Sequence, residues 1–217
     1  MSLINQIRTK ECSQADQIYQ YYLPEGRTGF LLKKLEDENE IKQKDELKSL
    51  FKEQIKILTS SIQEVEFSYQ SNQSHFPIQV NLVTGERIYT NEFCWARGDL
   101  PVLLLLYKAD EFFGEVHNKF IADTVGQVIA KRKNVEEVNR NPFIRHGTSG
   151  IALSFLKLFE LSGKFFYKNA YEYWIEKTQL LGSENFKEEN PDSLLDNYQG
   201  VNAVLNKGKM DWRSFFY

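Results

Sequence analysis

Cysteine, proline and long apolar runs are what this chain has least of. Two cysteines, Cys12 and Cys94, stand among 217 residues. That is too few for a disulfide framework, so a reducing, cytoplasmic setting is the expectation. Five prolines leave long stretches free of helix breakers. No apolar run reaches the roughly 20 residues of a membrane span, and the first residues lack the apolar segment of a secretory signal. Charge of one sign is lacking too: 27 Lys and Arg meet 30 Asp and Glu, for a net charge of −3. The basic residues are spread along the chain, which argues against nucleic acid or a membrane surface as the main partner. Aromatics are abundant instead, with 16 Phe and 11 Tyr. With so little proline, they fit long helices packed through aromatic side chains. The length suits one large domain or two small ones, and residues 1–217 are taken as a single domain.

Four glycine turns then stand out. Arg145-His146-Gly147-Thr148-Ser149-Gly150 runs directly into Ile151-Ala152-Leu153. Glu25-Gly26-Arg27-Thr28-Gly29 precedes Phe30-Leu31-Leu32, and Arg97-Gly98-Asp99-Leu100-Pro101 precedes Val102-Leu103-Leu104. Gln199-Gly200-Val201 leads into Val204-Leu205. Each reads as a turn that opens an apolar helix, and recurrence of this kind marks a repeat architecture. Between the turns, helical spacing predicts outer helices over 45–58, 116–130 and 164–181. A weak helix is expected up to Tyr22. Leu103 to Leu106 reads as a helix buried on all sides. Residues 62–93 break the helical rhythm, and Thr84-Gly85 between Val83 and Arg87-Ile88-Tyr89 predicts a β-hairpin. The fold class is therefore all-α. It is an array of helical hairpins, of the kind that closes into an α/α toroid or stays open as a solenoid, with a small β-hairpin insertion near residues 62–93.

The turn residues resemble the motifs of the lanthionine synthetase C-like (LanC) family. Phe93-Cys94-Trp95-Ala96-Arg97-Gly98-Asp99-Leu100-Pro101 is similar to that family's Trp-Cys-Tyr-Gly-Asp-x-Gly. Pro142 to Leu153 is similar to its Cys-His-Gly-Thr-Ser/Ala-Gly-Ile-Ala, and Leu23 to Gly29 to its Ala-His-Gly-Ile-Ala-Gly. Tyr171 to Thr178 looks like the helix that follows. Ser193-Leu194-Leu195-Asp196 with Gly200-Val201, then Asp211-Trp212, look like its C-terminal segment. The motif order agrees from about residue 20 onward, and the match corresponds to the C-terminal half of a full cyclase. The resemblance implies an α/α toroid-like fold, here an incomplete (α/α)6 barrel, and in the full family a catalytic zinc held by two Cys and one His. The open position takes a peptide thiol, which adds to a dehydroamino acid to close a thioether ring.

Carried over residue by residue, the ligand set is degenerate. The two cysteine positions are Ala96 and Arg145, and His146 alone is kept. The family's Tyr aligns with Arg97 and its earlier His with Glu25. Cys94 and His146 are weak remnants of a metal site, and no cofactor is expected. Glu25, Arg97 and His146 remain the candidates for catalysis, and Arg97, Asp99, Arg145 and His146 for ligand binding. Gln199 is placed in the same layer, Asp99 is expected to cap a helix, and Thr148 and Ser149 are expected to satisfy first-turn amides. His75 and His117 read as surface residues, Trp95 and Trp174 as packing.

Two readings of this rim follow. Arg97 and Arg145 can pair with Glu25 and Asp99 and fill the space left by zinc, which is preferred because a missing metal needs a replacement cross-link. Alternatively, with helix N-termini beside them, they can hold a carboxylate, phosphate or acidic peptide. The function implied is a non-catalytic, LanC-like protein of a lanthipeptide-type modification system. Its partner would be a peptide or another chain, including a second copy or a complementary toroid half. The alternatives are a peptide cyclase with an altered site, or with ligands from another chain, and a helical-repeat interaction module.

Overall fold

A computed structural model describes residues 18–36, 45–63, 73–114, 116–133, 141–184, 186–188 and 190–206. Cys12, Val65, Phe67, the loop from Asp37 to Glu40 and the segment Asp211 to Tyr217 lie outside these residues. In chain order the elements are β1 (Ile18–Gln20), α1 (Arg27–Glu36), α2 (Asp45–Thr59), β2 (Gln79–Asn81), β3 (Arg87–Ile88), α3 (Asp99–Phe113), α4 (Val116–Ile129), α5 (Thr148–Ser162), α6 (Phe165–Gly182) and α7 (Tyr198–Leu205). The described residues are thus mostly helical, with one small sheet. None of their helices is long and apolar enough to cross a membrane.

The packing follows from which helices are apolar all round. In α3 every residue from Leu100 to Tyr107 is buried, and in α5 every residue from Thr148 to Phe155. Such helices must be enclosed. α3 packs against α1, α4 and α5, and α5 against α3, α6 and α7. The order α1–α3–α5–α7 is therefore an inner row, with α4 and α6 outside it as the second helices of two hairpins. Both hairpin turns close on a left-handed glycine, Gly114 after α3 and Gly163 after α5, whose amides bond back to Asp110 and Phe159. Trp95 and Trp174 are fully enclosed, and Phe93 bridges Trp174 and Phe155 in a single aromatic cluster.

The sheet corrects one expectation. Residues 18–20 are a strand, not the end of a helix. β1 pairs antiparallel with β2 (Tyr19 opposite Val80), and β2 pairs with β3 in the expected hairpin. Pairing with β2 satisfies one edge of the Ile18–Gln20 backbone, and Pro24 disfavours helical backbone at Leu23.

The inner row is held together at its N-terminal end by a backbone ladder. The Leu23 amide donates to Ala96 O at 2.8 Å, the Ala96 amide to Arg145 O at 3.1 Å, and the Arg145 amide to Leu195 O at 2.9 Å. Leu23, Ala96, Arg145 and Leu195 each lie just upstream of an inner helix, so successive turns lie side by side. The third residue of α5 shows how tightly. A Cβ on Gly150 would sit 1.8 Å from Ile144 O and 2.7 Å from Trp95 Cβ. Gly29 and Gly200 occupy the same third position in α1 and α7, each with its own upstream carbonyl against it.

This register moves one residue of the expected rim. Gly200 is not the turn glycine of α7 but the counterpart of Gly150. Asn197 is the cap, accepting from the Gly200 amide at 3.0 Å. The layer before the caps is therefore Glu25, Arg97, His146 and Asp196. Gln199 is an exposed helical residue.

Candidate functional site

Local folding around Gly98 brings an upstream segment onto the rim. Gly98 has φ 85°, and a Cβ there would lie 2.4 Å from Glu92 O. Glycine both reaches this left-handed conformation and lets the turn press against the Glu92 carbonyl. The segment is pinned from the other side too. Ser74 N donates to Thr90 O at 2.7 Å, and Thr90 Oγ1 accepts from Glu92 N at 3.0 Å.

Asp99 acts as the bolt between insertion and turn. Its Oδ1 accepts the amides of His75 (2.8 Å) and Phe76 (3.0 Å), and its Oδ2 lies 2.9 Å from His75 Nδ1. Gly98 is the cap of α3, and Asp99 is the first helical residue, turned inward. Its expected capping role is replaced by this buried pairing, and it faces neither arginine. His75, expected at the surface, is buried against it. Thr148 and Ser149 do not cap either. The first amides of α5 donate to Asn141 O (3.1 Å) and Pro142 O (3.3 Å). Thr148 Oγ1 accepts from Thr178 instead, while Ser149 Oγ is buried without a partner. With its first two amides occupied, that helix end offers less to an anion.

The two arginines are each held by carboxylates, though not the expected combination. Arg145 Nε bonds both oxygens of Asp196, at 2.9 and 3.1 Å, and its NH1 lies 3.7 Å from Glu25. Arg97 NH1 pairs with Glu92 Oε1 at 3.0 Å. Its guanidinium also lies over the Tyr22 ring, at 5.9 Å.

Between these pairs lies a mixed cluster. Cys94 Sγ is 3.6 Å from His146 Nδ1 and 3.9 Å from Glu92 Oε2. Glu92 Oε2 is 4.0 Å from His146 Nδ1. The Arg97 amide donates to Cys94 Sγ at 3.3 Å. Burial pushes the Cys94 thiol up to about 12, with the Glu92 charge adding to the rise and the Arg97 and Ala96 amides and the Arg97 charge opposing it. The metal-free sulfur is thus a buried thiol, not a free nucleophile.

No protein-family model, no curated protein and no solved structure matches this chain.

The LanC resemblance rests on the sequence motifs alone. At the aligned positions the family's zinc does not fit: Ala96 has no donor, and Arg145 carries a guanidinium occupied by carboxylates. His146 does face a sulfur donor, but it is Cys94, two residues upstream of the aligned position. Glu92 is the member that motif reading misses. Its signal is the Glu92-x-Cys94 spacing, i and i+2, the interval that places two side chains on one side of an extended chain.

Proposed function

We propose that this chain is a LanC-like protein that binds a peptide or a partner chain at its turn rim, without the family's two-cysteine zinc site. The ladder through Leu23, Ala96, Arg145 and Leu195 carries the reading. It gathers the four turns that resemble the family's motifs and lines their pre-cap residues along one edge. In this reading the inner row is an arc of an incomplete (α/α)6 toroid, and a second copy or another chain completes the ring. A cytoplasmic setting belongs to the same reading. The mix of Glu25, Arg97, Arg145 and His146 at the edge suits the polar backbone and charged side chains of a peptide.

A fluorescein-labelled peptide holding one dehydroalanine and one cysteine tests this. Binding is read by fluorescence anisotropy. Because ring closure leaves mass unchanged, the free thiol is counted by maleimide labelling. The expected result is saturable binding that Arg97→Ala weakens, with the peptide thiol intact. No binding by the peptide, with a monomer in sedimentation, contradicts it.

The second reading, a cyclase with an altered site, is favoured by the 3.6 Å approach of Cys94 to His146. It predicts loss of the peptide thiol during incubation, abolished by His146→Ala.

A further inference from the structure

We propose that Glu92 Oε2, Cys94 Sγ and His146 Nδ1 form a three-ligand site for one divalent cation of the zinc class. The inference stands on the donor atoms and does not need the LanC reading. Two of its three ligands lie outside the aligned zinc positions.

Donor spacing is the first support. Tetrahedral zinc with ordinary Zn–S, Zn–N and Zn–O bonds holds its ligand atoms about 3.4–3.6 Å apart. The S–N distance here is already 3.6 Å, and the two distances to the carboxylate are 3.9 and 4.0 Å. A few tenths of an ångström on the Glu92 side closes the set. The Glu92 side chain is 41% exposed and can swing, whereas Cys94 is fixed in the core at 3%.

Chemistry is the second support. One thiol, one imidazole and one carboxylate are a donor set that favours zinc over calcium or magnesium, which prefer oxygen alone. The surroundings orient these groups. Arg97 holds Glu92 by Oε1, leaving Oε2 turned to the cluster, and the Arg97 amide donates to the sulfur. Outer bonds of this kind set ligand orientation in metal sites. Neither arginine presents bare charge to the cluster, since Arg97 is paired with Glu92 and Arg145 with Asp196 and Glu25. As the ion binds, the Cys94 proton leaves to solvent and the sulfur becomes a thiolate. Three protein ligands at a half-exposed rim leave a fourth position for water or an incoming thiolate.

The test is a cobalt(II) titration of the full chain after stripping with chelator. A near-ultraviolet thiolate-to-cobalt band is expected to saturate at one equivalent and to vanish on adding zinc. Cys94→Ser is expected to remove the band, and Cys12→Ser to keep it. His146→Ala and Glu92→Gln are each expected to weaken cobalt binding at least about tenfold, with far-ultraviolet circular dichroism unchanged. A missing band overturns the proposal, as does a band that survives Cys94→Ser. Should Cys94→Ser fail to fold, undiminished affinity in both half-exposed variants overturns it as well.

Discussion

Arg97 and Arg145 are neighbours in the repeat register but do different work. Arg145 lies beside a carboxylate on the next turn, and Asp196 is only 8% exposed. Its pair ties the turns before α5 and α7 side by side, in parallel with the backbone ladder. Arg97 instead reaches Glu92 in its own upstream segment, and both side chains are more than 40% exposed. A pair so open to water adds little to stability. Its consequence is directional: it fixes which oxygen of Glu92 faces Cys94 and His146. The same side-chain chemistry thus serves as a cross-link where it is buried and as a pointer where it is wet. The repeat supplies equivalent turns, and the insertion makes one of them chemically different.

The sharpest way to break this comparison is to remove the framework both arginines hang from. Gly150→Ala puts a methyl against Ile144 O and the Trp95 side chain, where backbone cannot yield. We expect a loss of about 3 kcal/mol or more in urea unfolding. Gly114→Ala, at φ 67° with open space around it, costs about 1 kcal/mol. Equal losses would mean that the turns are not in register.

Arg145→Ala comes next. It leaves the Asp196 carboxylate without its guanidinium, at a cost of about 2 kcal/mol. A double-mutant cycle with Asp196→Ala should return a coupling of about 1–2 kcal/mol; zero coupling would remove the cross-link. Arg97→Ala should cost less than about 0.5 kcal/mol of stability yet weaken cobalt binding about tenfold. An Arg97 variant as destabilised as the Arg145 variant would erase the distinction. The smallest effect is ionic. Raising salt toward 1 M shortens the screening length to about 3 Å, so stability differences between wild type and the Arg97 variant should shrink, while those for Arg145 persist.

Much of this was legible in the residues. The apolar runs after Gly98 and Gly147 read as enclosed helices, and the recurring turns pointed to an inner row. What periodicity does not carry is lateral contact. Residues 92–94 meet His146 because the Ala96 amide bonds Arg145 O across the gap between turns, and no local pattern records that bond. Asp99 was misread for a related reason. A carboxylate at a helix start favours capping locally, but the buried amides of His75 and Phe76 claim it. Gly200 looked like Gly147 because both follow a polar residue and precede an apolar run. The Asn197 cap and the close approach of Leu194 O show it to be the counterpart of Gly150.

The central claim is that Glu92 and Cys94, leading into one repeat turn, and His146 of the next turn build one mixed-donor site. The zinc-edge X-ray absorption spectrum of the zinc-loaded chain tests it most directly. The account predicts one sulfur neighbour at about 2.3 Å and the remaining neighbours nitrogen or oxygen at about 2.0–2.2 Å. A shell with no sulfur, or with two, would contradict it.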